Sequence, residues 1–240
     1  HSAGQPGFQT TRWSLIVRAG DVGSDSQRHR AIEQLCAEYW YPLYAFLRRK
    51  GQSPHEAEDT TQGFLATVLE GNLFESADPD RGRFRSFLLT ALQRYAGHQR
   101  DYQNAEKRGG LVRRLSLDTS VGERRYQQEP ADEMTPERIF ERRWAITVLQ
   151  RALARVATNY DNSGKSHLFA ALKHHLDGGA GEPYLEIAER FEMTEGAIKA
   201  AAHRLRDRYR QAVRDEVGET LSVAEDIDDE IRRLMQAVRG

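Results

Sequence analysis

The sequence predicts an all-α protein of two small helical domains joined by a flexible linker, the C-terminal one containing a helix-turn-helix. Three observations carry this prediction. Apolar residues recur at helical spacing through most of the chain, Gly and Pro breaks separate those runs, and residues 107–133 lose the stripe while holding Gly109, Gly110, Asp118, Gly122 and Pro130. A length of 240 residues, 39% apolar and 30% charged, suits two small globular domains. Their expected extents are 11–106 for the first, 107–134 for the linker and 135–216 for the second, with an acidic amphipathic extension over 217–240.

In the first domain Ile32, Leu35, Cys36, Tyr39, Leu43, Phe46 and Leu47 keep one helical face, and Pro42 is expected to kink or restart that helix. Gly51 ends it. Ser53-Pro54-His55-Glu56 supplies an N-cap, a proline at the first helical position and a glutamate at the third, which together form a capping box. The helix it starts turns Ala57, Thr61, Phe64, Leu65, Val68 and Leu69 inward and leaves Glu56, Asp59, Gln62 and Glu70 outside. After the breaks at Gly71 and 78–82, a third helix turns Phe84, Phe87, Leu88, Ala91, Leu92, Tyr95 and Ala96 inward. In the second domain Thr135-Pro136-Glu137 caps a helix carrying Ile139, Phe140, Trp144, Ile146, Val148, Leu149, Leu153 and Val156.

The net charge of −1 hides a strong segregation. Residues 53–80 hold seven acids and no Lys or Arg, whereas in residues 81–114 nine bases stand against two acids. Seven bases stand against three acids in residues 190–214, and eight acids against three bases in residues 215–240. Local charge rather than the whole-chain balance attracts phosphate, although a charge run is often only a solvated face. At the far end of the third helix the bases are mixed with aromatics and amides. Tyr102 and His98 are candidates to stack on or read unpaired bases, with Arg94 and Arg100 on the backbone; the alternative is that Tyr102 is an exposed aromatic of no consequence.

From Tyr184 to Arg214 the pattern is a short helix, a polar break ending in the N-cap residue Thr194, and a longer helix. Ile198, Ala201, Ala202, Leu205, Tyr209, Ala212 and Val213 make its apolar stripe, while Glu195, Lys199, His203, Arg206 and Arg210 fall on a neighbouring face. A major groove admits such a helix, and its first residues would meet base edges. The alternative is two ordinary surface helices of a bundle.

The order of these features resembles the extracytoplasmic-function (ECF) sigma factors of bacterial RNA polymerase. YPLYAFLRRKGQSPHEAEDTTQGFLATVLE and GRFRSFLLTALQRYAGHQRD are similar to that family's conserved region two, and YLEIAERFEMTEGAIKAAAHRLRDRYR to its region four. TRWSLIV, YWYPLYAF and DPDRGRFRSFLL look most like the variety abundant in planctomycete-like bacteria. The resemblance implies that Glu56, Glu58, Asp59, Gln62 and Leu69 dock on the clamp helices of the polymerase beta-prime subunit. It implies that Arg94, His98, Gln99, Arg100 and Tyr102 melt and hold the minus-10 element, and that Thr194, Glu195, Lys199, His203, Arg204 and Arg206 read the minus-35 duplex. The linker would thread the polymerase cleft near its beta subunit. Partners so implied are core RNA polymerase and promoter DNA, with room for an anti-sigma factor or other regulator.

Where relatives carry more polar or basic residues this chain has Ala200-Ala201-Ala202, so fewer contacts are expected early in the recognition helix. In the tail, Ile227, Ile231, Leu234, Met235 and Val238 form an amphipathic helix expected to fold back on the second domain or meet a regulator, the alternative being a frayed tail. The rival function is a helix-turn-helix transcriptional regulator that is not a sigma factor, which leaves the acidic helix and the basic aromatic helix without a task. No enzyme, metal or cofactor is expected: His174 and His175 are adjacent rather than spaced for one ion, and no phosphate-cradling glycine loop occurs. The single cysteine excludes an intramolecular disulfide and points to a reducing compartment, so a cytoplasmic location is expected. No apolar run approaches the roughly 20 residues of a bilayer span, and no charged-then-apolar leader pattern opens the chain, so no membrane insertion is expected.

Overall fold

Helix α1, Asp25–Arg49, carries Pro42 in its interior and does not stop there. A proline removes one helical hydrogen bond and costs roughly 3 kcal/mol, so something must hold the helix on both sides of it. Packing does this, because every residue of the stretch 41–47 is buried. Gly51, at φ +90°, ends α1 with two bonds, from Gly51 N to Arg48 O and from Gln52 N to Leu47 O, the left-handed C-terminal motif that glycine favours. Helix α2, Pro54–Leu69, starts with the expected capping box: Ser53 N donates to Glu56 at 2.8 Å and Glu56 N to the Ser53 hydroxyl at 3.3 Å.

The structure, a computed structural model, describes residues 25–69, 83–105, 119–129, 134–176, 181–221 and 226–239. Among them every regular element is helical, as an all-α reading requires. The others are α3 (Phe84–Ala105), α4 (Thr119–Gln127), α5 (Pro136–Asn162), α6 (Ser166–Leu172) with a 3-10 turn Lys173–His175, α7 (Tyr184–Arg190), α8 (Glu195–Gly218) and α9 (Ile227–Arg239). Two compact units result, His1–Ile146 with Gly218–Gly240, and Thr147–Val217. The division falls inside α5 and sets the tail with the N-terminal unit, so it differs from the sequence-based boundaries.

The core of the first unit is made by Ile32, Cys36, Tyr39, Leu43 and Phe46 of α1, Phe64, Leu65 and Val68 of α2, and Phe84, Leu88 and Leu92 of α3. Tyr39 meets Phe84 edge-on at 5.4 Å, and Phe64 lies 5.8 Å from Tyr95. The Cys36 thiol is pushed up to about 12 by burial and then by the charge of Glu33, so it is an inert core group.

Within the segment read as a flexible linker without a helical stripe, α4 is an ordered helix docked on α1. Its inward face is Gly122, Glu123 and Tyr126, with Glu129 beyond its end. Glu123 accepts from the Tyr44 hydroxyl at 2.5 Å and from Arg48 at 2.9 and 3.0 Å, and Glu129 accepts from the Tyr41 hydroxyl at 2.8 Å and pairs with Arg143. Gly122 sits where a Cβ would lie 3.0 Å from the Trp40 ring, which explains the glycine.

The tail folds back onto the chain, at a place shared by α3 and the start of α5. Glu230 of α9, 1% exposed, pairs with Arg85 and, at 2.8 Å, with Arg83, both in the N-terminal unit. Arg85, 4% exposed, takes Glu141 of α5 at 2.7 Å and lies 4.3 Å over the Trp144 ring.

Arg138 N donates to the Thr135 hydroxyl at 3.3 Å, the expected cap of α5. In the second unit Val148, Ala152, Val156 and Tyr160 of α5 and Ile198, Ala201, Ala202, Leu205, Ala212 and Val213 of α8 are buried. Tyr209, half-buried, donates to the Leu149 carbonyl at 3.3 Å. Arg151 pairs with the buried Glu216 at 2.9 Å.

Two outcomes follow. Glu230→Ala removes a buried anion that two arginines use and should lower unfolding free energy by about 3 kcal/mol in urea titration; an unchanged midpoint would contradict the buried pairing. The Glu123 carboxyl is held below the ordinary range by hydrogen bonds from Arg48, against the opposing effect of burial, and by the Tyr44 hydroxyl. A depressed folded pKa stabilises above the unfolded value and is lost as pH falls, so α4 docking should weaken below about pH 4. Trp40 fluorescence should report that acid step, and Glu123→Gln should flatten it.

Candidate functional site

Three surfaces carry the residues singled out from the sequence. On α2, Glu56 and Asp59 are exposed, while Glu58 and Gln62 are half-buried and bonded to each other at 3.1 Å. Asp59 receives His55 at 2.9 Å, an exposed pair one helical turn apart. Glu56 lies in the first turn, where the partial positive charge of the helix N-terminus favours an acid. The Leu69 side chain lies outside the described residues. Thr60 and Thr61 face inward, and the Thr61 hydroxyl bonds back to the Ala57 carbonyl at 2.6 Å.

Near the end of α3, Arg94 and His98 are exposed and four residues apart, so they share one face. Gln99 is half-buried and donates to the Tyr95 hydroxyl at 3.0 Å. That hydroxyl occupies the space a Cβ on Gly63 would need, which brings α2 and α3 into close contact at this level. The side chains of Arg100 and Tyr102 lie outside the described residues, although α3 runs past both to Ala105.

The third surface is built by α7, the turn 191–194 and α8. Met193 N bonds to Ala188 O at 2.9 Å and Glu192 N to Glu189 O at 3.2 Å, with Glu192 at φ 52°. Thr194 then caps α8, its hydroxyl accepting from Ala197 N at 3.2 Å. Ile187, Ala188, Ile198 and Ala201 are buried on either side of the turn. That burial fixes which edge of α8 is left outside: Thr194, Glu195, Lys199, His203 and Arg204, all exposed. Glu195 and Lys199 pair at 2.8 Å, and Asp207 receives His203 at 2.9 Å and Arg210 at 3.2 Å. Such exposed pairs are worth well under 1 kcal/mol, so Lys199 and His203 exchange partners at little cost.

Arg206 departs from the expectation of an outward contact. It is half-buried and donates to the Tyr184 hydroxyl at 2.8 Å and the His175 carbonyl at 3.3 Å. It therefore positions α7 and the 3-10 turn against α8. Around it lies an arrangement the sequence did not reveal. The His175 and Tyr184 rings stack at 4.5 Å, His175 Nε2 donates to the Glu182 carbonyl at 3.0 Å, and the Glu182 carboxylate takes both terminal nitrogens of Arg190, at 2.8 and 2.7 Å. Gly181 is the one available signal, since a Cβ there would collide with the His175 ring.

Among the described residues no group of three or more His, Cys, Asp or Glu is placed to hold a metal ion, and no helix is long and apolar enough to cross a membrane. Comparison with family models, with curated proteins and with solved structures finds no match.

Glu192 carries a left-handed conformation that costs a non-glycine residue roughly 1–2 kcal/mol, offset in part by the extra unfolded-state freedom a glycine brings. Glu192→Gly should accordingly raise stability by about 0.5–1 kcal/mol, and Glu192→Val should lower it, as read by thermal melting. A destabilising glycine would contradict this geometry for the turn.

Proposed function

We propose that the chain is a sigma factor of the extracytoplasmic-function type, acting in the bacterial cytoplasm, which joins core RNA polymerase and directs it to promoters. The observation that carries the reading is the exposed edge of α8. A tightly capped turn and a buried opposite stripe leave Thr194, Glu195, Lys199, His203 and Arg204 outward, the side-chain types that meet phosphates and base edges in a major groove. The acidic, exposed start of α2 supports a second task, since a negative helix suits a basic protein partner and repels DNA.

Each surface then has one role. Glu56, Glu58, Asp59 and Gln62, with Leu69, engage the polymerase clamp helices. Arg94 and His98 on α3, with Gln99, Arg100 and Tyr102, hold unpaired minus-10 bases by stacking and phosphate contact, on the order of 1–3 kcal/mol per stacked base. Lys199, His203 and Arg204, with Thr194 and Glu195, align the chain on the minus-35 duplex, and Arg206 positions that helix from within. The protein performs no chemistry of its own in this scheme.

Reversing charge with Glu56→Lys and Asp59→Lys should cut retention by immobilised core polymerase at least about tenfold, one lost charge-complementary contact being worth over 1.4 kcal/mol, without weakening duplex binding by the free chain. Lys199→Ala should do the reverse, weakening promoter occupancy by about tenfold with core binding intact. Both changes acting on DNA alone would remove the clamp assignment and favour a helix-turn-helix regulator.

A further inference from the structure

The docking of α4 on α1 creates a surface that neither segment suggests by itself. Residues 39–52 contain no acid, and the only acids of residues 119–129 are Glu123 and Glu129. Both carboxylates are turned inward, Glu123 to Tyr44 and Arg48 and Glu129 to Tyr41 and Arg143. The outward side is left to cations and amides: Lys50, Arg124, Arg125, Gln127 and Gln128 are exposed and Arg49 is half-exposed. Two of the outward guanidiniums, those of Arg49 and Arg125, lie over tyrosine rings. The Tyr126 ring has the guanidinium carbons of Arg48 and Arg49 at 4.9 and 5.9 Å from its centre, and the Tyr41 ring has those of Arg125 and Arg143 both at 5.6 Å.

We infer that this face is a third nucleic-acid-binding surface, taking the phosphate backbone independently of sequence. A face rich in exposed cations attracts anionic partners. Guanidinium groups stacked on aromatic rings are pre-oriented forks, the geometry that meets phosphate oxygens in pairs. The neighbouring amides are donors of the kind that contact sugar and phosphate. The choice of nucleic acid over an acidic protein rests on the proposed function; the patch itself does not.

The test uses the full chain and fluorescein-labelled duplex DNA, single-stranded DNA and RNA of one mixed sequence, with anisotropy read across sodium chloride concentrations. Arg124→Gln with Arg125→Gln should reduce the slope of log affinity against log salt by about 2 on duplex or slightly less on single strands, since each phosphate contact contributes about 0.7–0.9. Affinity at low salt should fall at least about tenfold. Arg124→Lys with Arg125→Lys, which keeps the charge, should restore most of the slope, and circular dichroism should show all forms equally helical. The strongest of the three ligands identifies the strand type. An unchanged slope in the Gln form overturns the inference, as does binding of polyglutamate with no nucleic acid bound. Promoter-directed initiation by the unmodified chain with core polymerase is a separate readout: its absence beside an altered slope in the Gln form removes the sigma reading and keeps the surface, and initiation beside an unchanged slope removes the surface alone.

Discussion

A guanidinium taken out of water must be matched by carboxylates or the fold loses several kcal/mol, and Arg85 is where that constraint gathers the N-terminal unit. Its partners come from distant parts of the chain. Glu141 lies at the start of α5, Glu230 on the tail helix, and Trp144 presents its ring face to the same group. A buried ion pair adds little net stability over an apolar substitute, yet breaking one is costly, so such a network fixes which segments pack together. Here it sets α9 with α3 and with the first turns of α5.

Where local chemistry decides a feature, the sequence was legible. The Ser53 to Glu56 capping box, the Gly51 stop, the Thr135 and Thr194 caps and the apolar stripe of α8 all appear as read, because each depends on residues within a few positions of one another. Helix α4 was not legible for a physical reason. Its inward positions have helical spacing but carry Gly122, Glu123, Tyr126 and Glu129, so a search for apolar periodicity passes over it. Arg85 and Arg206 were counted with the solvent-facing bases, since nothing in a linear pattern separates a cation facing water from one facing a buried carboxylate or a tyrosine hydroxyl. At Pro42 the helix does not restart. The helix-breaking preference is a few kcal/mol, and burial of the whole stretch 41–47 outweighs it.

The candidate surfaces divide in the same way. Glu195, Lys199, His203 and Arg210 are exposed on α8 and Arg206 is half-buried, because periodicity alone sets the face beside an apolar stripe but not which of its cations turns inward. The tight packing behind them, with the His175 and Tyr184 stack and the glycine beside it, is tertiary and has no periodic signature. On the proposed reading this division is functional: weakly paired exposed groups remain available to a partner, and the strongly bonded half-buried ones hold them in register. The α1 and α4 patch follows the same logic, with its carboxylates turned inward and its cations outward.

The central claim is that these surfaces serve promoter-directed transcription. Its most direct measurement is reconstitution of the purified chain with bacterial core RNA polymerase, followed by run-off transcription on fragmented host DNA with all 5′ ends mapped. The account predicts discrete starts preceded by a shared two-part element, absent when core polymerase acts alone. No complex with cognate core and no added starts, despite sequence-specific duplex binding by the free chain, would contradict it.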